Sequence, residues 1–79
     1  MTELALIVGA GQGLSASLAR LFASQGIAVA LAARNPGKLS SLCTEAGATA
    51  HACDATQPAA VAALFDALPE SPSIVVYNA

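Results

Sequence analysis

Apolar and polar positions fall along this chain in blocks, and the period of the blocks changes in a regular order. Leu4-Ala5-Leu6-Ile7-Val8 is an apolar run of strand length that stops at Gly9. An unbroken run, rather than strict alternation, marks a strand buried on both faces of a sheet. After Gly9-Ala10-Gly11-Gln12-Gly13 the spacing turns helical, with Leu14, Leu18, Leu21 and Phe22 on one face. This predicts a helix over 13–24, closed by Gly26 where left-handed geometry is needed. Residues 27–32 form a second apolar run of strand length. Asn35-Pro36 then predicts a helix start, with Asn as N-cap and Pro in the first turn. Leu39, Leu42, Cys43 and Ala46 mark one face of that helix, and Gly47 ends it. Residues 48–53 read as a third, weaker strand. Thr56-Gln57-Pro58 opens a third helix whose Val61, Leu64, Phe65 and Leu68 follow helical spacing. A loop over 69–73 leads to Ile74-Val75-Val76-Tyr77, a fourth strand of high β-propensity.

The predicted order is β-α-β-α-β-α-β. Short connections and right-handed crossovers make this a Rossmann-type α/β fold, a parallel sheet with helices on both faces. A doubly wound sheet of two halves continues for several more strands. Residues 1–79 are therefore expected to be a partial dinucleotide-binding domain, truncated after its fourth strand.

Composition narrows the partners. The chain is 56% hydrophobic, only 10% charged, and carries a net charge of −2. It is too apolar for disorder and has no basic footprint for nucleic acid or a membrane surface. Gly9 to Gly13 interrupts the first hydrophobic run, so no segment is expected to span a bilayer. Met1-Thr2-Glu3 lacks the basic start of a signal peptide, which suggests a cytoplasmic setting. Cys43 and Cys53 match no metal or redox spacing and read as small buried hydrophobes. His51, alone within the third strand, reads as structural rather than as a base.

The chemistry is concentrated where the first strand meets the first helix. Backbone N–H groups at a helix start lack intrahelical partners, and the helix dipole adds positive character there. Glycines let the chain turn sharply and let a pyrophosphate come close to the backbone. Three cofactor patterns use such a turn. The common G-x-G-x-x-G fingerprint would need glycine at position 14, which is Leu14. A methyl-donor site uses G-x-G-x-G, satisfied by Gly9, Gly11 and Gly13. Its usual acidic residues are absent, because Ile7, Val8, Ala33 and Arg34 occupy those places. The third pattern, G-x-x-x-G-x-G, is met by Gly9 and Gly13 with Ser15 at the last glycine.

On these residues the chain resembles the short-chain dehydrogenase/reductase family over essentially its whole length. The family turn, T-G-x-x-x-G-x-G, is matched by residues 8–15 with Val8 for Thr and Ser15 for the last Gly. The resemblance implies that Gly9, Gly11, Gln12, Gly13 and Leu14 grip a cofactor pyrophosphate. Arg34 follows the second strand, where an acidic residue would accept the free ribose 2′-hydroxyl of NAD(H). A guanidinium there pairs with a 2′-phosphate instead, so chemistry and resemblance agree on NADP(H). The other reading of Arg34 is a solvated surface arginine. Lys38, one turn into the next helix, could add charge for the phosphate or be an ordinary exposed lysine.

Asp54, followed by Ala55, matches the family aspartate that meets the adenine ring; a helix cap is the alternative role. Tyr77-Asn78-Ala79 resembles the N-N-A-G segment, which would put Asn78 on the ribose side. In the family, a serine and a Y-x-x-x-K pair downstream of the fourth strand carry the chemistry. Tyr77 is the only tyrosine and no lysine follows it. The implied function is thus a cofactor half-site of an oxidoreductase, with no catalytic residues of its own and a homo-oligomeric full-length form. A stand-alone binding or protein-interaction half-domain is the second expectation, and a methyltransferase-like fragment the third.

Overall fold

The computed structural model describes residues 3–9, 14–54 and 56–77. Strand β1 (Leu4–Val8) leads to helix α1 (Leu14–Ser24) and strand β2 (Ala28–Ala33). A 3₁₀ turn (Pro36–Leu39) opens into helix α2 (Ser40–Ala46), followed by strand β3 (Thr49–Ala52), helix α3 (Pro58–Ala67) and strand β4 (Ile74–Tyr77). All pairings are parallel, and the strand order is β3-β2-β1-β4. The chain steps outward from β1 to β3, then crosses back over β1 to place β4 on its other side. The Rossmann-like α/β arrangement expected from the sequence is the one observed.

The apolar run of β1 is explained by its neighbours. Leu4, Leu6 and Val8 join Ala30, Ala32 and Cys53 under Leu64 and Leu68 of α3. Ile7 joins Val29 and Leu31 on the opposite face, under Ala16 and Ala19 of α1 and Leu39 and Leu42 beside α2. With a side-chain period of two and helices on both faces, no position of β1 is left for a polar residue. Leu6, Ile7 and Leu31 are fully buried, each contributing about 1.5–3 kcal/mol of hydrophobic stabilisation.

Three expectations are corrected. The face of α1 that packs does not include Leu21, which is 53% exposed, while Ser15, Ala16 and Ala19 are buried. Leu18 and Phe22 complete a stripe with these small residues, which let the helix lie close on β1 and β2. On α3, Val61, Leu64 and Leu68 pack as expected but Phe65 is 41% exposed, because those three positions already cover the sheet. Asn35 makes no side-chain cap, and the α-helical part begins only at Ser40. Gly37, a poor helix former, lies in the intervening 3₁₀ turn.

The two strand starts that shift share one cause. Gly26 takes φ 77° and Gly47 φ 65°, and each helix reaches past its glycine to hold the next residue. Ile27 N–H donates to the Phe22 carbonyl at 3.0 Å, and Ala48 N–H to that of Cys43 at 2.9 Å. β2 and β3 therefore begin one residue later than their apolar runs. At the other end, the Arg20 Nε–Glu45 Oε1 ion pair of 2.6 Å ties α1 to α2 on the surface.

Candidate functional site

Parallel strands deliver their carboxyl ends to one edge of the sheet, and the sequence-derived site residues follow those ends. Gly9 comes directly after β1, Arg34 directly after β2, and Asp54 two residues after β3. Gly9 adopts φ 79°, a left-handed conformation that glycine takes without penalty, and the chain turns out of the sheet there. Its N–H still donates to the Ala32 carbonyl at 2.9 Å, so the turn starts from a fixed point of the β1–β2 ladder. Cys53 N–H donates to the Ala33 carbonyl at 3.0 Å, extending the β2–β3 ladder one residue beyond β3, and Asp54 follows on the same edge. Neighbouring strands lie roughly 5 Å apart. Asp54, Arg34 and Gly9 therefore form a row across about 10 Å of the edge. The row ends where β1 adjoins β4, the point at which the order of strands reverses, and ligands of open α/β sheets bind at such points.

Arg34 is exposed. Asp54 is half-buried, and its Oδ1 accepts the Thr56 hydroxyl at 2.7 Å and the Thr56 backbone N–H at 3.0 Å. The Thr56 hydroxyl, then its N–H, and the nearby Arg34 charge hold the Asp54 carboxyl below its ordinary value, against a small desolvation effect. Asp54 is thus an anion locked in a turn. It does not cap α3, whose N-cap position is Gln57. Thr56, which holds the Asp54 carboxylate, is the residue that sequence reasoning passed over as a helix-start residue. The Asp-x-Thr spacing of an Asx turn was the available signal.

Leu14 opens α1. Gly11, Gln12, Gly13, Ala55 and Asn78 lie outside the described residues, so the structure places Gly9, Arg34, Asp54 and the backbone of Leu14 from the expected set. The described part of the edge thus carries Gly9 turning out of β1, the start of α1 at Leu14, an exposed guanidinium and a fixed carboxylate, groups whose chemistry suits an anion and a ribose.

Other candidates stay outside this row. His51 Nε2 shares a 3.0 Å hydrogen bond with Thr49 Oγ1 on β3. Cys53 is buried in the core, and Cys43 is partly buried with its thiol pushed up by desolvation. Among the described residues no three His, Cys, Asp or Glu side chains gather as metal ligands, and no helix is long and apolar enough to cross a membrane.

A parallel sheet ordered 3-2-1-4 in this βαβαβαβ chain defines a Rossmann-like α/β protein. More narrowly, the chain belongs to the short-chain dehydrogenase family, whose model matches residues 3–76. Among solved structures, a metagenomic short-chain oxidoreductase in complex with NADP is 32% identical with a TM-score of 0.85, and the match covers 98% of this chain and 38% of that one. A short-chain dehydrogenase/reductase from Vibrio parahaemolyticus is 34% identical, also with a TM-score of 0.85, over 94% of this chain and 36% of its own. Menthone neomenthol reductase from Mentha piperita is 29% identical with a TM-score of 0.80, over 100% and 32% respectively. The chain thus spans about a third of the length of these structures. No curated protein sequence matches it.

Proposed function

We propose that this chain is the NADP(H)-binding N-terminal segment of a short-chain dehydrogenase/reductase-type oxidoreductase. The observation that carries the reading is Arg34. It is exposed at the carboxyl end of β2, with Ala33 before it and no carboxylate in its place. A free guanidinium at that point suits a ribose 2′-phosphate, and an NADP complex of a 32%-identical relative supports the same choice. In this reading the backbone of Gly9, Gly11, Gln12, Gly13 and Leu14 holds the pyrophosphate. Asp54 and Ala55 meet the adenine, and Asn78 borders the ribose. The cofactor supplies the hydride. The serine and the Y-x-x-x-K pair that move the proton in the family lie outside these 79 residues, so the segment binds without turning over.

Titration of the chain with NADPH and NADH, followed by cofactor fluorescence, tests the assignment. NADPH is expected to bind more tightly, and Arg34→Ala to remove the preference. Loss of a charge-assisted, bidentate phosphate contact corresponds to about 10- to 100-fold in affinity. Equal binding of the two cofactors, or a preference that survives Arg34→Ala, overturns the phosphate role.

One feature favours a second reading, that of a protein-interaction half-domain. Among the described residues β4 pairs only with β1, and Val75 and Tyr77 on it are 49% and 59% exposed. A chain that binds neither nucleotide but associates through this edge would fit that reading instead.

A further inference from the structure

The segment that leaves β3 is pinned in both its main chain and its side chain. Cys53 N–H donates to the Ala33 carbonyl at 3.0 Å and Gln57 N–H to the Asp54 carbonyl at 3.0 Å, which fixes the backbone on either side of Asp54. Asp54 Oδ1 accepts the Thr56 hydroxyl at 2.7 Å and the Thr56 N–H at 3.0 Å. An aspartate otherwise turns about a broad, two-fold terminal torsion, and either oxygen can face a given partner. A carboxylate oxygen offers about two acceptor sites, so two donors fill Oδ1. Among the described residues only Thr56 donates to this carboxylate, and both bonds fall on the one oxygen. Oδ2 is left as the oxygen with acceptor capacity to spare. Thr56 is exposed, so its value here is not one of core packing.

We propose that Thr56 is a positioning residue for base selection: by filling Oδ1 it presents Oδ2 of Asp54 as a fixed acceptor, which selects a purine with an amino group at C6 over one with a carbonyl oxygen there. This inference rests on the assignment of Asp54 to the adenine and adds what orients the carboxylate. The exocyclic amine of adenine donates to Oδ2 in a charge-assisted hydrogen bond. A 6-oxo purine presents an acceptor at C6 and carries its proton on the neighbouring N1. A carboxylate free to turn follows that proton, whereas a locked one meets the carbonyl oxygen. Selectivity between the two bases therefore measures the lock, not merely the presence of the charge.

The probes are NADPH and its 6-oxo analogue, in which hypoxanthine replaces adenine. Each is titrated into the 79-residue chain by nicotinamide fluorescence, with circular dichroism as the check on folding. NADPH is expected to bind about tenfold more tightly, the worth of one charge-assisted hydrogen bond to a half-buried group. Thr56→Val and Thr56→Ala remove the hydroxyl and keep the N–H. Both are expected to cut the ratio to about threefold or less, and Thr56→Ser to restore it. Asp54→Asn gives the sharper readout. Its amide oxygen takes the two Thr56 donors, which puts the NH2 group in the place of Oδ2 and makes the 6-oxo analogue the tighter ligand. A ratio unchanged in the Thr56 variants, or an equal loss of affinity for both ligands, overturns the positioning role. So does an Asp54→Asn chain in which the ratio vanishes without reversing. Asp54→Ala separates the two layers of the argument. If it abolishes the ratio while the Thr56 variants leave it intact, Asp54 still meets the adenine and Thr56 does not orient it. If Asp54→Ala leaves the ratio intact, or the unsubstituted chain binds both ligands equally, the adenine assignment falls and the positioning role with it.

Discussion

The Asp54 carboxylate accepts two hydrogen bonds from one neighbour, Thr56, and that dependence has a measurable pH signature. The Thr56 hydroxyl and N–H hold its carboxyl below 3.8, and Arg20 likewise holds Glu45 below 4.5. A folded-state value depressed below the unfolded one gives stability that is present above the unfolded value and lost as pH falls through the folded one. The thermal midpoint is therefore expected to hold steady near neutrality and to decline once pH drops below about 4.5. Glu45 is exposed and Asp54 only half-buried, so the decline is shallow and weakens with salt. In Thr56→Ala, a scan of midpoint against pH should show a smaller acid decline than in the unsubstituted chain, because Asp54 then loses the hydroxyl contact that lowers its carboxyl most and keeps only the backbone N–H. An unchanged profile would place the acid sensitivity elsewhere. Serine at this position should restore the profile, since its hydroxyl and N–H can make the same turn.

At the level of elements, hydrophobic spacing identifies each helix and strand but leaves open which face of a helix is buried. On α3, Leu64 and Phe65 are adjacent apolar residues in the sequence, yet only Leu64 lies under the sheet. Leu64→Ala is expected to cost about 2–4 kcal/mol, the usual result of opening a core cavity. Phe65→Ala should cost well under half of that, read from the shift in denaturation midpoint. Comparable losses would mean that Phe65 is more deeply packed than its exposure indicates. The order of elements, the parallel pairing and the carboxyl-edge position of Gly9, Arg34 and Asp54 were all legible from runs, glycines and spacing. The packed stripe of α1 was not. Ser15, Ala16 and Ala19 carry too little apolar character to outweigh Leu14 and Leu21 in any periodicity, and their value is in being small. The Thr56 contact was visible only as a turn pattern, and the shifted starts of β2 and β3 depend on backbone hydrogen bonds that composition does not encode. Asn35 looked like a cap because its identity was right, but the 3₁₀ turn that follows it displaces the α-helix by a full turn.

For the molecule as a whole, the two edges of the sheet differ in character. β3 presents Thr49, Ala50, His51 and Ala52, whereas β4 presents Val75 and Tyr77 on the α3 side, in register with Leu6 and Val8. An apolar edge with one unpaired side promotes association between chains. Val75→Lys is expected to lower the concentration-dependent mass of the chain in sedimentation while leaving its circular dichroism unchanged; equal association of both forms would acquit the β4 edge. The strand order has a further consequence, one of timing. β1 is made well before β4, its second neighbour, and Ser73 N–H must find the Leu4 carbonyl across 69 residues. Helices α1 and α2 can cover one face of β1 early, but the face of Leu4, Leu6 and Val8 waits for α3 and β4. The most apolar segment of the chain thus stays half sheltered until α3 and β4 have formed, and its second strand neighbour arrives only with residues 74–77.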